Sequence, residues 1–121
     1  MPKRKILLID DEEDFGTLLK LNIDKNTEYE AFVATSGEAG LELVRRRKPD
    51  LVLLDIMMPG MNGLETLKRI KAIAPELPVA MVTAVWNEEE AKQCFEAGAY
   101  EYITKPVDFE YLKIALLVKL F

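Results

Sequence analysis

The sequence predicts an α/β domain in which five parallel strands alternate with five helices in a doubly wound sheet. Five short apolar runs recur along the 121 residues, separated by stretches of helical periodicity in units of ~20–30 residues, the pattern of βα repeats. The runs Lys5-Ile6-Leu7-Leu8-Ile9 and Leu51-Val52-Leu53-Leu54-Asp55 are apolar without alternation. Such runs belong to strands covered on both faces by helices. No repeat, low-complexity tract or linker interrupts the series, so residues 1–121 read as one domain. Short right-handed crossovers make 2-1-3-4-5 the expected strand order.

The first strand, Lys5 to Ile9, stops at Asp10-Asp11. A helix from about Glu13 to Lys25 follows, with Phe15, Leu18 and Leu19 expected on one face. Ala31-Phe32-Val33-Ala34 is a shorter strand. Ser36 is placed to cap the next helix, with Leu41 and Val44 facing inward until Pro49 stops it. Leu51 to Asp55 forms the third strand and Gly63 to Ala74 the third helix, with Leu64, Leu67, Ile70 and Lys71 at the periodic positions. Val79-Ala80-Met81-Val82 forms the fourth strand, ending at Thr83. Asn87 can cap a helix carrying Ala91, Cys94 and Phe95, closed by Gly98. Ala99 to Thr104 is the fifth strand, and Asp108 starts a last helix that runs to Phe121.

Composition narrows the function. Half the residues are hydrophobic and 31% charged, an ordinary globular mix. No apolar run approaches the ~20 residues of a membrane span, and Met1-Pro2-Lys3-Arg4-Lys5 precedes too short an apolar run for a signal peptide. The single cysteine, Cys94, leaves no internal disulfide and fits a reducing compartment, so a cytoplasmic location is expected. A net charge of −5 argues against direct nucleic-acid binding by this domain. The basic run Arg45-Arg46-Arg47-Lys48 falls where cations complement a helix C-terminus. There is no histidine, which removes histidine ligands, histidine bases and phosphohistidine chemistry within the chain.

In a doubly wound sheet, ligands bind outside the carboxyl ends of the strands. Here those ends carry Asp10-Asp11, Asp55, Thr83 and Lys105. Three clustered carboxylates raise one another's pKa values unless a cation is shared. Oxygen-only donors favour Mg²⁺. With a lysine charge and a threonine hydroxyl beside them, these groups are what phosphoryl transfer to a carboxylate requires.

At these residues the chain resembles the receiver domain of two-component response regulators, a CheY-like fold of the flavodoxin-like class. The resemblance covers essentially all of the chain. It rests on Asp10-Asp11, Asp55 followed by Met58-Pro59-Gly60 and Asn62-Gly63, Thr83-Ala84, and Tyr102 before Lys105-Pro106. It implies a phosphorylation-activated switch, not an enzyme in its own right, that assists its own phosphorylation and dephosphorylation. Asp55 would be the phosphoacceptor, and Asp10, Asp11, Asp55 and the backbone carbonyl of Met57 would hold Mg²⁺. Lys105 would bridge to the phosphoryl group, with Thr83 and the Ala84 amide on its oxygens. The Lys105-Pro106 bond would be cis. Tyr102 would be the switch aromatic, or else simply a half-buried strand residue. Met57 and Val85, two residues past Asp55 and Thr83, are apolar and disfavour an attacking water. The implied partners are a sensor histidine kinase or histidine phosphotransfer protein on one side. On the other stands an output domain or effector protein, controlled through the face formed by the fourth helix, fifth strand and last helix.

Three other classes fit less well. A haloacid-dehalogenase-like phosphatase needs a second Asp two residues after the first, where Met57 stands. A flavodoxin-like flavin binder needs a Ser/Thr/Gly-rich loop where Asp10-Asp11-Glu12-Glu13 would repel the phosphate. A degenerate receiver acting only as an interaction module would not need the complete set of reactive residues. Trp86 is expected either as a partner contact or as a lid over its helix. The last helix carries one core stripe, Phe109, Leu112, Ala115 or Leu116, and Lys119 or Leu120. A second stripe, Tyr111, Ile114, Val118 and Phe121, suggests an interface, either a homodimer contact or the start of a helix leading to an effector.

Overall fold

The computed structural model describes residues 3–120. In chain order its elements are β1 (Lys5–Ile9), α1 (Glu13–Asn26), β2 (Glu30–Ala34), α2 (Gly37–Arg47) and β3 (Leu51–Asp55). There follow α3 (Gly63–Ile73), β4 (Val79–Thr83), α4 (Glu88–Glu96), β5 (Glu101–Thr104) and α5 (Phe109–Leu120). The strands form one parallel sheet in the order β2-β1-β3-β4-β5, as expected.

The unbroken apolar strands are explained by the two layers they divide. Leu7, Ile9, Val52, Leu54 and Met81 face α2, α3 and α4, where Leu41, Val44, Leu67, Ile70 and Cys94 meet them. Ile6, Leu8, Leu51, Leu53 and Val82 face the other way, onto Leu19 and Ile23 of α1 and Leu112, Leu116 and Leu120 of α5. Each such fully buried aliphatic side chain contributes about 1.5–3 kcal/mol. The helix ends follow local chemistry. Ser36, Asn62 and Asn87 accept hydrogen bonds from the amides of Ala39, Glu65 and Glu90. The Asp108 carboxylate accepts from Glu110 and Tyr111. Gly98, at φ +108, turns the chain out of α4.

Three side chains depart from expectation. Leu18, Phe95 and Phe109 are exposed. In α1 the buried row is Gly16, Leu19 and Ile23, and Leu18 lies about 100° around the helix from Leu19, on the solvent side. In α4 the core contacts are Ala91 and Cys94. In α5 the core row is Leu112, Leu116 and Leu120, a strict four-residue spacing. The inward places of Leu41, Val44, Leu67 and Ile70 are as read. Of the second stripe on α5, Tyr111, Ile114 and Val118 are exposed, joined by Leu117. Phe121 lies outside the described residues. No helix of the described residues is long and apolar enough to cross a membrane.

Candidate functional site

Sheet register assembles the site. Ile9 pairs with Leu54 across β1 and β3, so the next residue on each strand, Asp10 and Asp55, emerges side by side at the carboxyl edge. Thr83 pairs with Thr104, and the amide of Lys105 donates to the Thr83 carbonyl at 2.7 Å. The Lys105-Pro106 bond is cis, as the resemblance implied. Behind β3, the chain folds back so that the Gly63 amide donates to the Ile56 carbonyl at 2.9 Å. A Cβ on Gly63 would collide with the Asp55 carbonyl oxygen and the Ile56 Cα. Only glycine lets the Pro59-to-Asn62 loop close this tightly behind the Asp55 carboxylate.

One carboxylate oxygen from each of Asp10, Asp11 and Asp55 lies within 4.8 Å of the others. Asp10 and Asp55 are buried while Asp11 is exposed, so the cluster is a floor with one open wall. Asp10 is fixed on both oxygens: Oδ1 accepts from the Glu12 amide at 2.9 Å and Oδ2 pairs with Lys105 at 3.0 Å. Asp55, only 3% exposed, is less well served. Its Oδ1 accepts a long hydrogen bond of 3.4 Å from the Met57 amide and stands 4.0 Å from the Lys105 ammonium. Burial, and then the charge of Asp10, push its carboxyl up to about 7, against the pull of Lys105. Burial opposes the charge on Lys105 as well, but the Glu12 and Asp10 carboxylates outweigh it and raise the ammonium's pKa. A buried carboxylate held so far above its ordinary range is short of positive charge. Three oxygen donors converging on one open point therefore fit Mg²⁺, whose chemistry is to neutralise carboxylate charge and accept phosphoryl oxygens.

Thr83 is buried, and its hydroxyl donates to the Val85 carbonyl at 3.3 Å within its own turn. Tyr102 donates to the same carbonyl at 3.4 Å, and to Glu90 Oε1 at 3.1 Å. Thr83 and Tyr102 thus share one acceptor. Tyr102 is buried rather than half-buried. Trp86, 62% exposed, stands edge-on to the Tyr102 ring with centroids 5.2 Å apart. It packs on the tyrosine and also lines a groove with Ala91, Lys92 and Phe95 of α4. Ala84 follows Thr83 as an exposed residue, and the Met57 side chain is exposed beside the site.

Sequence reasoning missed three contributors. Glu12 Oε1 meets the Lys105 ammonium at 2.6 Å, Phe15 lies beneath that ammonium at 4.3 Å, and Glu90 holds the Tyr102 hydroxyl. Glu12 stands next to the acidic pair, which was a signal. Its pairing with a residue 93 positions away was not legible.

Known proteins share this fold. The family model for the response regulator receiver domain matches residues 6–117. Sporulation initiation phosphotransferase F of Bacillus subtilis is 38% identical over 117 residues, covering 96% of this chain and 93% of that protein. The transcriptional regulatory protein ZraR of Escherichia coli O157:H7 is 40% identical over 111 residues, 92% of this chain but 25% of that protein. This chain spans between about a quarter and 42% of ZraR and of the Bacillus subtilis transcriptional regulatory protein PhoP. Among solved structures, a response regulator receiver domain protein from Clostridium thermocellum superposes with a TM-score of 0.90 at 31% identity, over 97% of this chain and 94% of that one.

Proposed function

The chain belongs to the response regulator receiver domain family, and from that premise we propose that it is a phosphorylation-controlled switch whose acceptor is Asp55. The observation that carries the assignment is the convergence of Asp10, Asp11, Asp55 and Lys105 at one strand edge. In the reaction, an Asp55 carboxylate oxygen attacks the phosphorus of a phosphohistidine. The P–N bond breaks, its electron pair returns to the donor imidazole, and an acyl phosphate forms on Asp55. The chain has no histidine, so the donor is supplied by other residues than these, a sensor histidine kinase or a histidine phosphotransfer protein.

The remaining roles follow from position. Asp10, Asp11 and Asp55, with the Met57 carbonyl, hold Mg²⁺. Lys105 needs only a short side-chain movement from its 4.0 Å distance to pair with a phosphoryl oxygen. The Thr83 hydroxyl and the Ala84 amide bind the other oxygens. To reach one, Thr83 gives up the Val85 carbonyl, which leaves that acceptor to Tyr102. The change is read on the face of α4, β5 and α5 by an output domain, an effector or a second copy meeting the apolar stripe of α5. Residues 1–121 act as one receiver domain, working in the cytoplasm without direct nucleic-acid contact. The exposed Met57 offers no second carboxyl for a phosphatase.

Incubation with Mg²⁺ and acetyl phosphate tests the assignment. One phosphate of added mass, labile to hydroxylamine and absent from Asp55→Asn, is the expected result. A stable adduct at full occupancy in that variant overturns it.

A further inference from the structure

We propose that Glu12 is a positioning residue for Lys105, holding the ammonium away from Asp55 until a phosphoryl group draws it over. This inference rests on Asp55 being the acceptor. Of the three carboxylates around the ammonium, the nearest is the most exposed: Glu12 at 2.6 Å, Asp10 at 3.0 Å and Asp55 at 4.0 Å. The Glu12 side chain is 63% exposed and that of Lys105 only 12%. The lysine therefore lies in the site while its closest counter-ion reaches in from the rim.

The turn from Asp10 to Phe15 builds this cradle. Glu12 occupies the N-cap of α1 at φ −85 and ψ 97, yet its side chain makes no capping hydrogen bond. Its amide is anchored on Asp10 Oδ1 at 2.9 Å, and its carbonyl accepts from Gly16 at 3.0 Å. The backbone is thus fixed at both ends while the carboxylate is committed to Lys105. One turn on, the Phe15 ring lies 4.3 Å beneath the same ammonium, where a cation gains from the ring's negative face.

Energetics make this a breakable hold. An ion pair with one well-exposed partner is weak, because solvent screens it and ordering the side chains costs entropy. A phosphoryl group on Asp55 places close to two negative charges inside the site, next to an ammonium that is largely desolvated. Lys105 then transfers from Glu12 to the phosphoryl oxygen, and Glu12 is released at a helix N-terminus, where the dipole tolerates its charge. Glu12 therefore acts against phosphoryl binding through the lysine, setting how strong an anion must be before the site closes on it.

The test uses Mg²⁺ with beryllofluoride as the phosphoryl analogue, on the full chain. Glu12→Gln should bind the analogue about fivefold more tightly, the order expected from losing one exposed ion pair. The half-saturating concentration of acetyl phosphate should fall in parallel. The cycle with Lys105→Met isolates the route: in that background, Glu12→Gln should change neither quantity. Glu13→Gln, an equal charge change one residue on, should have less effect than Glu12→Gln in the parent. Equal effects of Glu12→Gln with and without Lys105 would show that net charge alone is at work and overturn the proposal. No effect in the parent overturns it too. Persistent labelling of Asp55→Asn is a separate outcome, removing the acceptor assignment itself.

Discussion

The raised titration of Asp55 makes the stability of the metal-free protein depend on pH in a direction opposite to that of most carboxylates. Folded Asp55 titrates at about 7 against 3.8 for an unperturbed carboxyl. Between those values the folded state keeps a proton that the unfolded state has lost. Stability from this group is thus fully present below the unfolded pKa and is lost as pH rises through the folded one. Each unit of pH in that window removes about 1.4 kcal/mol, so the two units from pH 5 to pH 7 remove at most about 3 kcal/mol. The Asp55→Asn variant has no such titration. Its amide changes packing by an amount that does not vary with pH, so the readable quantity is how the stability gap changes. In chelator, the variant should gain about 2–3 kcal/mol on the wild type between pH 5 and pH 8, nearly all of it below pH 7. Urea unfolding followed by far-UV circular dichroism measures it, with unchanged m-values as the condition for a stability reading. Millimolar Mg²⁺ should narrow the gap by stabilising the ionised wild-type carboxylate. A gap that is flat with pH, or that moves toward the wild type, would refute the argument that burial and Asp10 hold this carboxyl protonated.

Three further outcomes are expected. Burial and then Glu90 push the Cys94 thiol up to about 11, so a thiol reagent at pH 8 should label Cys94 at the rate of unfolding, tracked by absorbance against urea. Thr83→Ala should keep Asp55 phosphorylatable but leave the Trp86 fluorescence change on phosphorylation much reduced, since the shared Val85 carbonyl no longer links Thr83 to Tyr102 and the indole over it. Ile114→Glu with Val118→Lys should leave labelling of Asp55 intact while abolishing self-association or partner binding in sedimentation; an assembly unchanged by both substitutions disposes of α5 as an interface.

The fold was legible because its determinants are local and repeated. Continuous apolar runs mark strands covered on both faces, and Ser36, Asn87 and Asp108 mark helix starts by hydrogen bonds that span only two or three residues. Side-chain facing was less legible where apolar residues stand shoulder to shoulder. Leu18 beside Leu19 and Phe95 beside Cys94 offer two possible stripes each, and the register of the helix on the sheet chooses between them. The two alternatives left open in α5 resolve the same way, to Leu116 and Leu120.

The carboxyl edge shows a second division, between which residues gather and what they touch. Parallel pairing brings every strand end to one edge, so Asp10, Asp55, Thr83 and Lys105 share that edge once five parallel strands are read. Nothing in the strands dictates which anion a lysine chooses at that edge. Lys105 sits closer to Glu12 than to Asp55 because the N-terminal turn of α1 folds over it, with Phe15 beneath. Tyr102 likewise reaches Val85, Glu90 and Trp86 through the β4–α4 loop, whose path follows from Thr83 accepting the Val85 amide at 3.4 Å and donating back to its carbonyl. Both sets of contacts tie the reacting edge to its rim by long or partly exposed bonds, of about 1 kcal/mol each. A phosphoryl group, which brings close to two negative charges beside a largely desolvated ammonium, outweighs such bonds and can exchange them without unfolding the strands beneath. That inequality is what lets a rigid sheet carry a switch at its rim.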